Sequence, residues 1–228
     1  MKQIPLVLAS ASSARLKTLR GAGIAPVVCV SEVDEDGAVA QASAALPEGA
    51  DPLTPSDVAL LLARAKCEDV ASRLSWGLGH QDVPDESLVL GCDSVLEIDG
   101  VAYGKPGTPE AARDRWELMR GRSGVLHTGH WLIDNRDLDR KGTGGSIGAV
   151  GSTVVHFADL SDREIRAYIK TGEPLGVAGA FTVDGFGGPF VTAIEGDYHN
   201  VVGVSLPLLR DLLGQLDIGW FSVQRLIS

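Results

Sequence analysis

The sequence is short of cysteine, of long apolar runs and of positive charge, and each shortage excludes a class of protein. Its three cysteines, Cys29, Cys67 and Cys92, form no C-x-x-C pair, so we expect neither a disulfide framework nor a zinc site. No apolar run reaches the roughly 18 residues of a transmembrane helix. No signal-peptide core follows Met1 and Lys2, so the cytoplasm is the expected compartment.

Acidic residues outnumber basic ones by 30 to 20, which gives a formal net charge of −10. Duplex DNA and anionic membranes attract proteins chiefly through many lysine and arginine contacts, so neither is an expected partner. The net charge does not exclude a small anionic ligand. A few nearby cations and a divalent metal attract such a ligand more strongly than distant, screened acidic groups repel it. The 228 residues suffice for one large domain or two small ones.

Strand and helix patterns alternate early in the chain, whereas strand pairs dominate later. This order predicts an α/β fold with a mixed, twisted sheet flanked by helices. Three stretches lack a clear pattern: we expect a loop or inserted segment at 38–56, a polar linker at 75–86, and a glycine-rich hairpin or flexible loop at 135–151. The predicted strands are 4–9, 26–31, 88–98, 125–133 and 153–160, and the predicted helices are 13–20, 57–74, 109–120, 162–172 and 206–216.

The stretch LVLASASSARLKTLR, residues 6–20, turns abruptly from a buried strand into a basic helix. Ser12 is the predicted N-cap, so the hydroxyls of Ser10 and Ser12 and the first backbone N–H groups meet at a helix N-terminus, which suits an anion. Arg15 lies one turn further and can reach the same anion. The alternative is an ordinary capped helix with a solvent-facing arginine.

An aspartate interrupts the otherwise apolar run LVLGC-SVLEI. A buried carboxylate is costly unless it is paired or binds a metal, so we expect Asp93 at a strand end beside a cation or ligand. A purely structural ion pair is the alternative.

Three further motifs are less specific. GVAYGKPG is one residue short of a Walker A motif and has Pro106 in place of the metal-binding hydroxyl, so only Lys105 remains as a phosphate contact. The acidic run EVDED at 32–36 is typical of a solvated loop. His127 and His130 are three apart in a predicted strand, so their side chains point to opposite faces and do not share one ion.

Seven motifs follow one another along the chain: LASASSARLKTLRGAGI, VDED, LLARAKCEDV, VLGCDSVLEIDGVAYGKP, GRSGVLHTG, YIKTGEPLGVAGAF and IEGDYHNVVGVSLP. In order and approximate spacing they resemble the Maf-like proteins, which are nucleoside triphosphate pyrophosphatases with an α/β fold related to inosine triphosphate pyrophosphatase. The resemblance implies a single domain over residues 1–228 with a cleft between two lobes, a divalent metal (Mg²⁺ or Mn²⁺) and a homodimer. It also implies cleavage of a nucleoside triphosphate into a monophosphate and pyrophosphate.

The resemblance also assigns roles to individual positions. Asp93 matches the family's proton acceptor, and Glu35 matches its acidic residue after the second strand. Both supply the hard oxygen ligands that magnesium prefers, and either can orient the attacking water. The family's phosphate-binding positions match Ser10, Arg15, Lys66 and Lys105. The hydroxyl of Ser12 belongs to the same predicted phosphate-binding set, because it lies at the same helix N-terminus.

Two positions depart from the family pattern. Ala14 replaces the first of two adjacent arginines, and the loss of one arginine–phosphate contact costs on the order of 1.5–3 kcal/mol if nothing replaces it. Asp184 stands where members preferring thymidine and uridine triphosphates carry glutamine, and where a 7-methyl-GTP-preferring group carries glutamate. Because an ionised aspartate only accepts hydrogen bonds, we expect a base with N–H donors or a positively charged methylated guanine.

Two other functions stay open from the sequence. One is a non-catalytic nucleotide-binding regulator, because the family is also linked to inhibition of septum formation. The other is a nucleotidyl- or sugar-phosphate transferase with a similar anion-binding turn.

Overall fold

One mixed sheet organises the chain. A computed structural model describes residues 3–76, 83–84 and 86–224. In those residues seven strands form a single sheet of order β2-β1-β3-β5-β6-β7, with β4 paired to β3 off this path. β1 runs parallel to β2 and β3, and the pairs from β3 onward are antiparallel. The predicted mixed α/β fold is therefore confirmed, and most of the predicted polar linker at 75–86 lies outside the described residues.

Each predicted strand and helix has a counterpart in the structure. The strands are β1 Leu6–Leu8, β2 Val27–Val28, β3 Leu88–Ile98, β4 Val101–Tyr103, β5 Ser123–Asp134, β6 Ser146–Phe157 and β7 Val191–Glu195. The helices are α1 Ser13–Gly21, α2 Glu35–Ala44, α3 Pro55–Ser75, α4 Pro109–Met119, α5 Asp162–Lys170, α6 Tyr198–Val202 and α7 Leu206–Gln215. The sequence patterns do not predict β4, β7, α2 or α6.

A gap beside β3 makes room for a ligand. Along one side of β3, β1 pairs with Leu88–Leu90 and β4 pairs with Leu96–Ile98. Among the described strands, none pairs with residues 91–95 on that side. Asp93 lies in this gap, within a continuous strand, so the expectation of a strand end is wrong. Because β1 is short, the middle of β3 has no neighbouring strand on this side. The Asp93 carboxylate can therefore reach a cation without lying at a strand end.

The long helix α3 lies unusually close to the sheet. A Cβ atom at Gly91 would overlap the carbonyl oxygen of Ala63, and one at Gly129 would overlap that of Ala59. Gly129 is the cross-strand partner of Asp93. Glycine at both positions therefore allows α3 to approach the strand that carries Asp93.

The expected loop at 38–56 is wrong in its first part, because α2 continues to Ala44. The side chain of Asp34 accepts a hydrogen bond from Gly37 N–H and caps this helix. The following residues are alanine-rich, and alanine has the highest helix propensity. Composition suggests a loop because proline, glycine and serine recur across 38–56, but the prolines begin only at Pro47, beyond the helix. Residues 45–54 are irregular, as expected.

The expected loop at 135–151 is also shorter than predicted, because β6 begins at Ser146. The buried carboxylate of Asp134 accepts hydrogen bonds from Arg136 and from both the N–H and hydroxyl of Thr143. Burial alone would raise the pKa of Asp134, but these hydrogen bonds outweigh it and lower the pKa. The connection is thus anchored at both ends of the β5–β6 hairpin.

Buried side chains form three groups around the sheet. One lies between β1, α1 and α7, a second beneath α4 and α5, and a third between α3 and the sheet. Cys29, Cys67 and Cys92 are buried free thiols. Within the described ranges, no helix combines the length and the apolar character required to cross a bilayer.

Candidate functional site

A cavity of about 410 Å³ opens beside the gap in β3. It lies between residues 9–15, which belong to the β1–α1 side, and residues 176–184, which follow α5 on the other side. This is a volume suited to a nucleotide-sized ligand. All eight residues singled out from the sequence line this cavity: Ser10, Ser12, Arg15, Glu35, Lys66, Asp93, Lys105 and Asp184.

The N-terminus of α1 forms one wall of the cavity. The hydroxyl of Ser12 caps the helix by accepting a hydrogen bond from Arg15 N–H, as predicted. Ser10 Oγ accepts hydrogen bonds from Ser12 N–H and from Arg15 Nη1, so its own hydrogen remains available to a ligand. First-turn N–H groups have no acceptor within the helix, and Ser13 and Ala14 line the cavity.

The guanidinium of Arg15 is buried and held in a defined orientation. Its Nε donates to Gly203 O at 2.8 Å, and its Nη2 donates to Ser94 Oγ at 3.0 Å. Ser94 in turn lies 2.9 Å from the hydroxyl of Thr128, which donates to Asn200 O. These supports leave donors of a guanidinium free for an anion, because it carries five N–H groups.

Sequence analysis missed Ser94 and Gly203. Ser94 follows Asp93 within the same buried run, and a second polar residue in that run was the available signal. Gly203 contributes only a backbone carbonyl, 188 residues away from Arg15 in the chain, and no local pattern predicts that contact.

Lys66 connects the two carboxylates that the sequence singled out. Its Nζ lies 2.5 Å from Asp93 Oδ1 and 2.8 Å from Glu35 Oε1, and both Lys66 and Asp93 are buried. Lys105 Nζ lies 4.0 Å from the same Glu35 oxygen. Burial alone would raise the pKa of Glu35, but the hydrogen bond and charge of Lys66, with the charges of Lys105 and Arg15, lower it. Glu35 is therefore held ionised.

This arrangement fits a divalent cation as well as an ammonium group. Among the described residues, no cluster of three or more His, Cys, Asp or Glu side chains forms a complete metal cage. Mg²⁺ requires no such cage, because it is commonly held by one or two carboxylates with waters and substrate phosphates. Glu35 and Asp93 share a single cation in Lys66, and they are the two carboxylates that would hold the metal.

Asp184, the second position that departs from the family pattern, lies on a different segment from the lysines. Residues 176–178 and 181–184 line the cavity, and Asp184 is exposed. Asp184 also lines a shallow groove with Lys17 and Thr18 of α1. Lys66 and Lys105 cluster around Glu35 and Asp93 at what is here called the cation-rich end, and Asp184 adds an exposed acceptor from a separate segment.

The two histidines of β5 contact different residues, as their spacing predicts. His127 bonds to Glu97 and Ser152, at 2.7 and 2.8 Å. His130 is fully buried, and its Nε2 accepts from Ser205 N–H. Burial lowers the pKa of His130 to about 4, so this ring is neutral near pH 7.

Comparison with known proteins now identifies the family. A family model described as "Maf-like protein" matches residues 5–216. The chain belongs to the Maf-like family. The resemblance seen in the sequence motifs is therefore confirmed over nearly the whole chain.

Curated relatives of this Maf-like chain are similar over almost their full lengths. A protein from Leifsonia xyli subsp. xyli, named nucleoside triphosphate pyrophosphatase, is 52% identical over 219 residues, covering 94% of each chain. One of the same name from Salinispora tropica is 54% identical over 213 residues, covering 93% of this chain and 84% of the relative. A solved nucleoside-triphosphatase / dITP/XTP pyrophosphatase from Mycobacterium abscessus is 14% identical, with a TM-score of 0.33 and coverage of 69% and 76%. That structural likeness is too weak to carry an argument.

Proposed function

We propose that this protein is a metal-dependent nucleoside triphosphate pyrophosphatase that acts on standard or modified nucleotides. The observation that carries the proposal is the position of Lys66, which bridges Asp93 and Glu35 in a cavity that also exposes the N-terminus of α1. The names of the curated relatives, at about 50% identity, support the same reaction.

The cavity wall carries positively charged side chains that can bind a triphosphate. Arg15, Lys66 and Lys105 together with the N-terminal dipole of α1 face its roughly four negative charges. Because Glu35 and Asp93 already pair with Lys66, a divalent cation would supply the further positive charge that the triphosphate needs. Phosphoryl transfer depends mainly on placement and charge stabilisation, so no covalent nucleophile is required. This local cluster explains how a chain of net charge −10 can bind a polyanion.

Asp93 is the proposed proton acceptor. Water bonds to the α-phosphorus, its proton passes to an Asp93 oxygen, and the bond from the α-phosphorus to the bridging oxygen breaks. The bridging oxygen leaves with the pyrophosphate, whose charge Lys66 and Lys105 stabilise. A divalent cation held by Glu35 and Asp93 would supply further charge neutralisation on the phosphates.

Asp184 is the proposed selector of the base. Its exposed carboxylate accepts hydrogen bonds and donates none, so it favours guanine or another base presenting N–H groups at its edge, and also a cationic methylated guanine. Thymine and uracil offer one ring N–H between two carbonyl oxygens that an aspartate cannot pair with.

The deciding experiment incubates the purified protein with a panel of standard and modified triphosphates, with Mg²⁺, Mn²⁺ or EDTA, and identifies the products. The expected products are a nucleoside monophosphate and pyrophosphate, formed only with a metal. Binding without turnover would favour the non-catalytic regulator. Transfer of the nucleotidyl group to an added acceptor would favour the transferase.

The assembly and compartment belong to the same proposal. The Maf-like resemblance supports a homodimer. The lack of a signal-peptide core after Met1 and Lys2 supports the cytoplasm, and the 30 acidic residues against 20 basic ones disfavour nucleic acid and membranes as partners. Light scattering on the purified protein tests the dimer, and a monomeric mass would contradict it.

A further inference from the structure

The carboxylate of Glu173 lies behind the wall that carries Asp184. Glu173 Oε1 accepts hydrogen bonds from Tyr168 Oη at 2.9 Å, from Thr182 Oγ1 at 2.6 Å and from Gly187 N–H at 3.0 Å. Its Oε2 accepts from Phe186 N–H at 2.9 Å. Four donors from α5 and from residues 182–187 therefore converge on one side chain.

The segment is shaped around this carboxylate. A Cβ atom at Gly185 would overlap Glu173 Oε2, and a Cβ at Gly187 would lie 2.5 Å from Tyr168 Oη. Tyr168 Oη also accepts from Thr182 N–H at 3.3 Å, which adds a second connection between α5 and the segment. The backbone of residues 182–187 thus follows the carboxylate closely.

The charge of Glu173 contributes to this arrangement. Burial alone would raise its pKa, but the hydrogen bonds from Thr182, Phe186, Tyr168 and Gly187 outweigh burial and lower it. Hydrogen bonds to an ionised acceptor are roughly twice as strong as neutral ones. A neutral amide at this position would weaken the bonds that its oxygen accepts and would lose those that face its NH2 group, because that group only donates.

Residues 182–184 of the segment that Glu173 holds also line the cavity. Thr182, Val183 and Asp184 all line the cavity, and Asp184 lies between two anchored positions, Thr182 and Phe186. The position of the Asp184 carboxylate therefore depends on the bonds that Glu173 accepts.

We propose that Glu173 is a positioning residue for base recognition, which acts by holding residues 182–187 so that Asp184 meets the base of the nucleotide. The proposal rests on the proposed function, because it assumes that the cavity takes a nucleotide. It adds a residue that does not line the cavity and that touches neither phosphate nor base.

The cation-rich end of the cavity is built independently of Glu173. Lys66, Glu35 and Asp93 come from α3, α2 and β3 and bond to one another. Loosening residues 182–187 should therefore weaken the hold on the base and leave the hold on the phosphates in place. A loss of overall stability would instead weaken both.

The test compares two ligands on wild type and E173Q by calorimetry. The α,β-methylene analogue of GTP reports base and phosphates together, and inorganic tripolyphosphate reports the phosphate end alone. We expect E173Q to bind the GTP analogue about ten-fold more weakly and tripolyphosphate with unchanged affinity. Equal losses for both ligands, or no loss for either, would overturn the proposal.

Two further variants keep the test decisive. Y168F removes the hydroxyl that bonds to both Glu173 and Thr182 but keeps the buried ring, and a smaller loss of the same selective kind is expected if E173Q does not fold. E164Q is the matched control, because Glu164 also accepts a backbone N–H and a hydroxyl, both from Ser161, at the other end of α5. E164Q should leave both affinities unchanged.

Failure of the proposed function gives a different result. If wild-type protein binds neither the GTP analogue nor the corresponding analogues of the other nucleotides, the nucleotide assignment is wrong. If wild type binds the GTP analogue and E173Q keeps the wild-type ratio of affinities for the two ligands, only the role of Glu173 is wrong.

Discussion

The Nζ atom of Lys66 lies 2.5 Å from Oδ1 of Asp93 at the floor of the cavity, with both side chains buried. Glu35 approaches the same ammonium group at 2.8 Å, and Lys105 lies 4.0 Å from Glu35, so two carboxylates and two ammonium groups form one network. Removal of Lys66 would leave Asp93 as a buried carboxylate without its partner, which is costly, whereas loss of the Asp93 charge leaves Lys66 paired with Glu35. A divalent cation would add positive charge beside the two carboxylates.

Replacement of Asp93 by asparagine should reduce pyrophosphate release at least about 100-fold, because an amide cannot take the proton of the attacking water. Glu35 still pairs with Lys66 and the shape of the side chain is kept, so circular dichroism should show an intact fold. Quantifying pyrophosphate at saturating substrate checks this. The control is D211N, which alters an exposed pair with Arg210. Wild-type turnover by D93N would contradict the assigned role.

Replacement of Gly129 by alanine should lower both stability and turnover. The new Cβ would overlap the carbonyl of Ala59, so α3 has to move away from the sheet, and overpacking of this kind costs about 1–3 kcal/mol. Since Lys66 is on α3, turnover should fall as well. Urea denaturation and initial rates measure the two effects. G214A is the control, because a Cβ there meets nothing within 4 Å and a helical Gly-to-Ala change stabilises by about 0.5–1 kcal/mol.

Stability should fall as the pH drops from neutral toward 4, in part because of His130. Its pKa is lowered to about 4 from 6.5 by burial, so the unfolded chain binds a proton in this window before the folded chain does. The free energy of unfolding is unaffected by His130 above pH 6.5 and falls below it, and the loss reaches about 3 kcal/mol at pH 4.

H130Q tests that assignment, because glutamine cannot be protonated in this range and its oxygen can accept from Ser205 N–H. Urea denaturation at several pH values between 7.5 and 4.5 should give a flatter profile for H130Q than for wild type, even if the variant is less stable at pH 7.5. Parallel profiles would exclude His130 as the source.

Replacement of Asp184 by glutamine should shift nucleotide preference toward dTTP and UTP, because the amide adds a donor for the carbonyl oxygens of the pyrimidines. The ratio of kcat/KM for UTP to that for GTP should rise about ten-fold, within the energy of one hydrogen bond. A clear wild-type preference for dTTP and UTP would show that Asp184 does not select the base in this way.

Local chemistry alone predicted much of the fold. Ser12 caps α1, α4 begins at Pro109, and α7 has the expected amphipathic pattern, because caps, proline and apolar spacing act within a few residues. The same local reasoning failed for α2, where glycine and serine concealed an alanine-rich helix capped by Asp34. It also failed for Asp93, since the length of β1, not the pattern of β3, leaves that residue accessible.

The sequence by itself determined the mixed α/β fold, the family and the set of charged residues worth examining, because these depend on patterns that are continuous along the chain. Only the tertiary structure decided that Lys66 joins Asp93 to Glu35, that Gly203 holds Arg15, and that Glu173 supports the segment of Asp184. Lys66 and Asp93 are 27 positions apart in the chain, and Arg15 and Gly203 are 188 positions apart. They arise from strand order and from the close approach of α3 to the sheet, which no local pattern encodes.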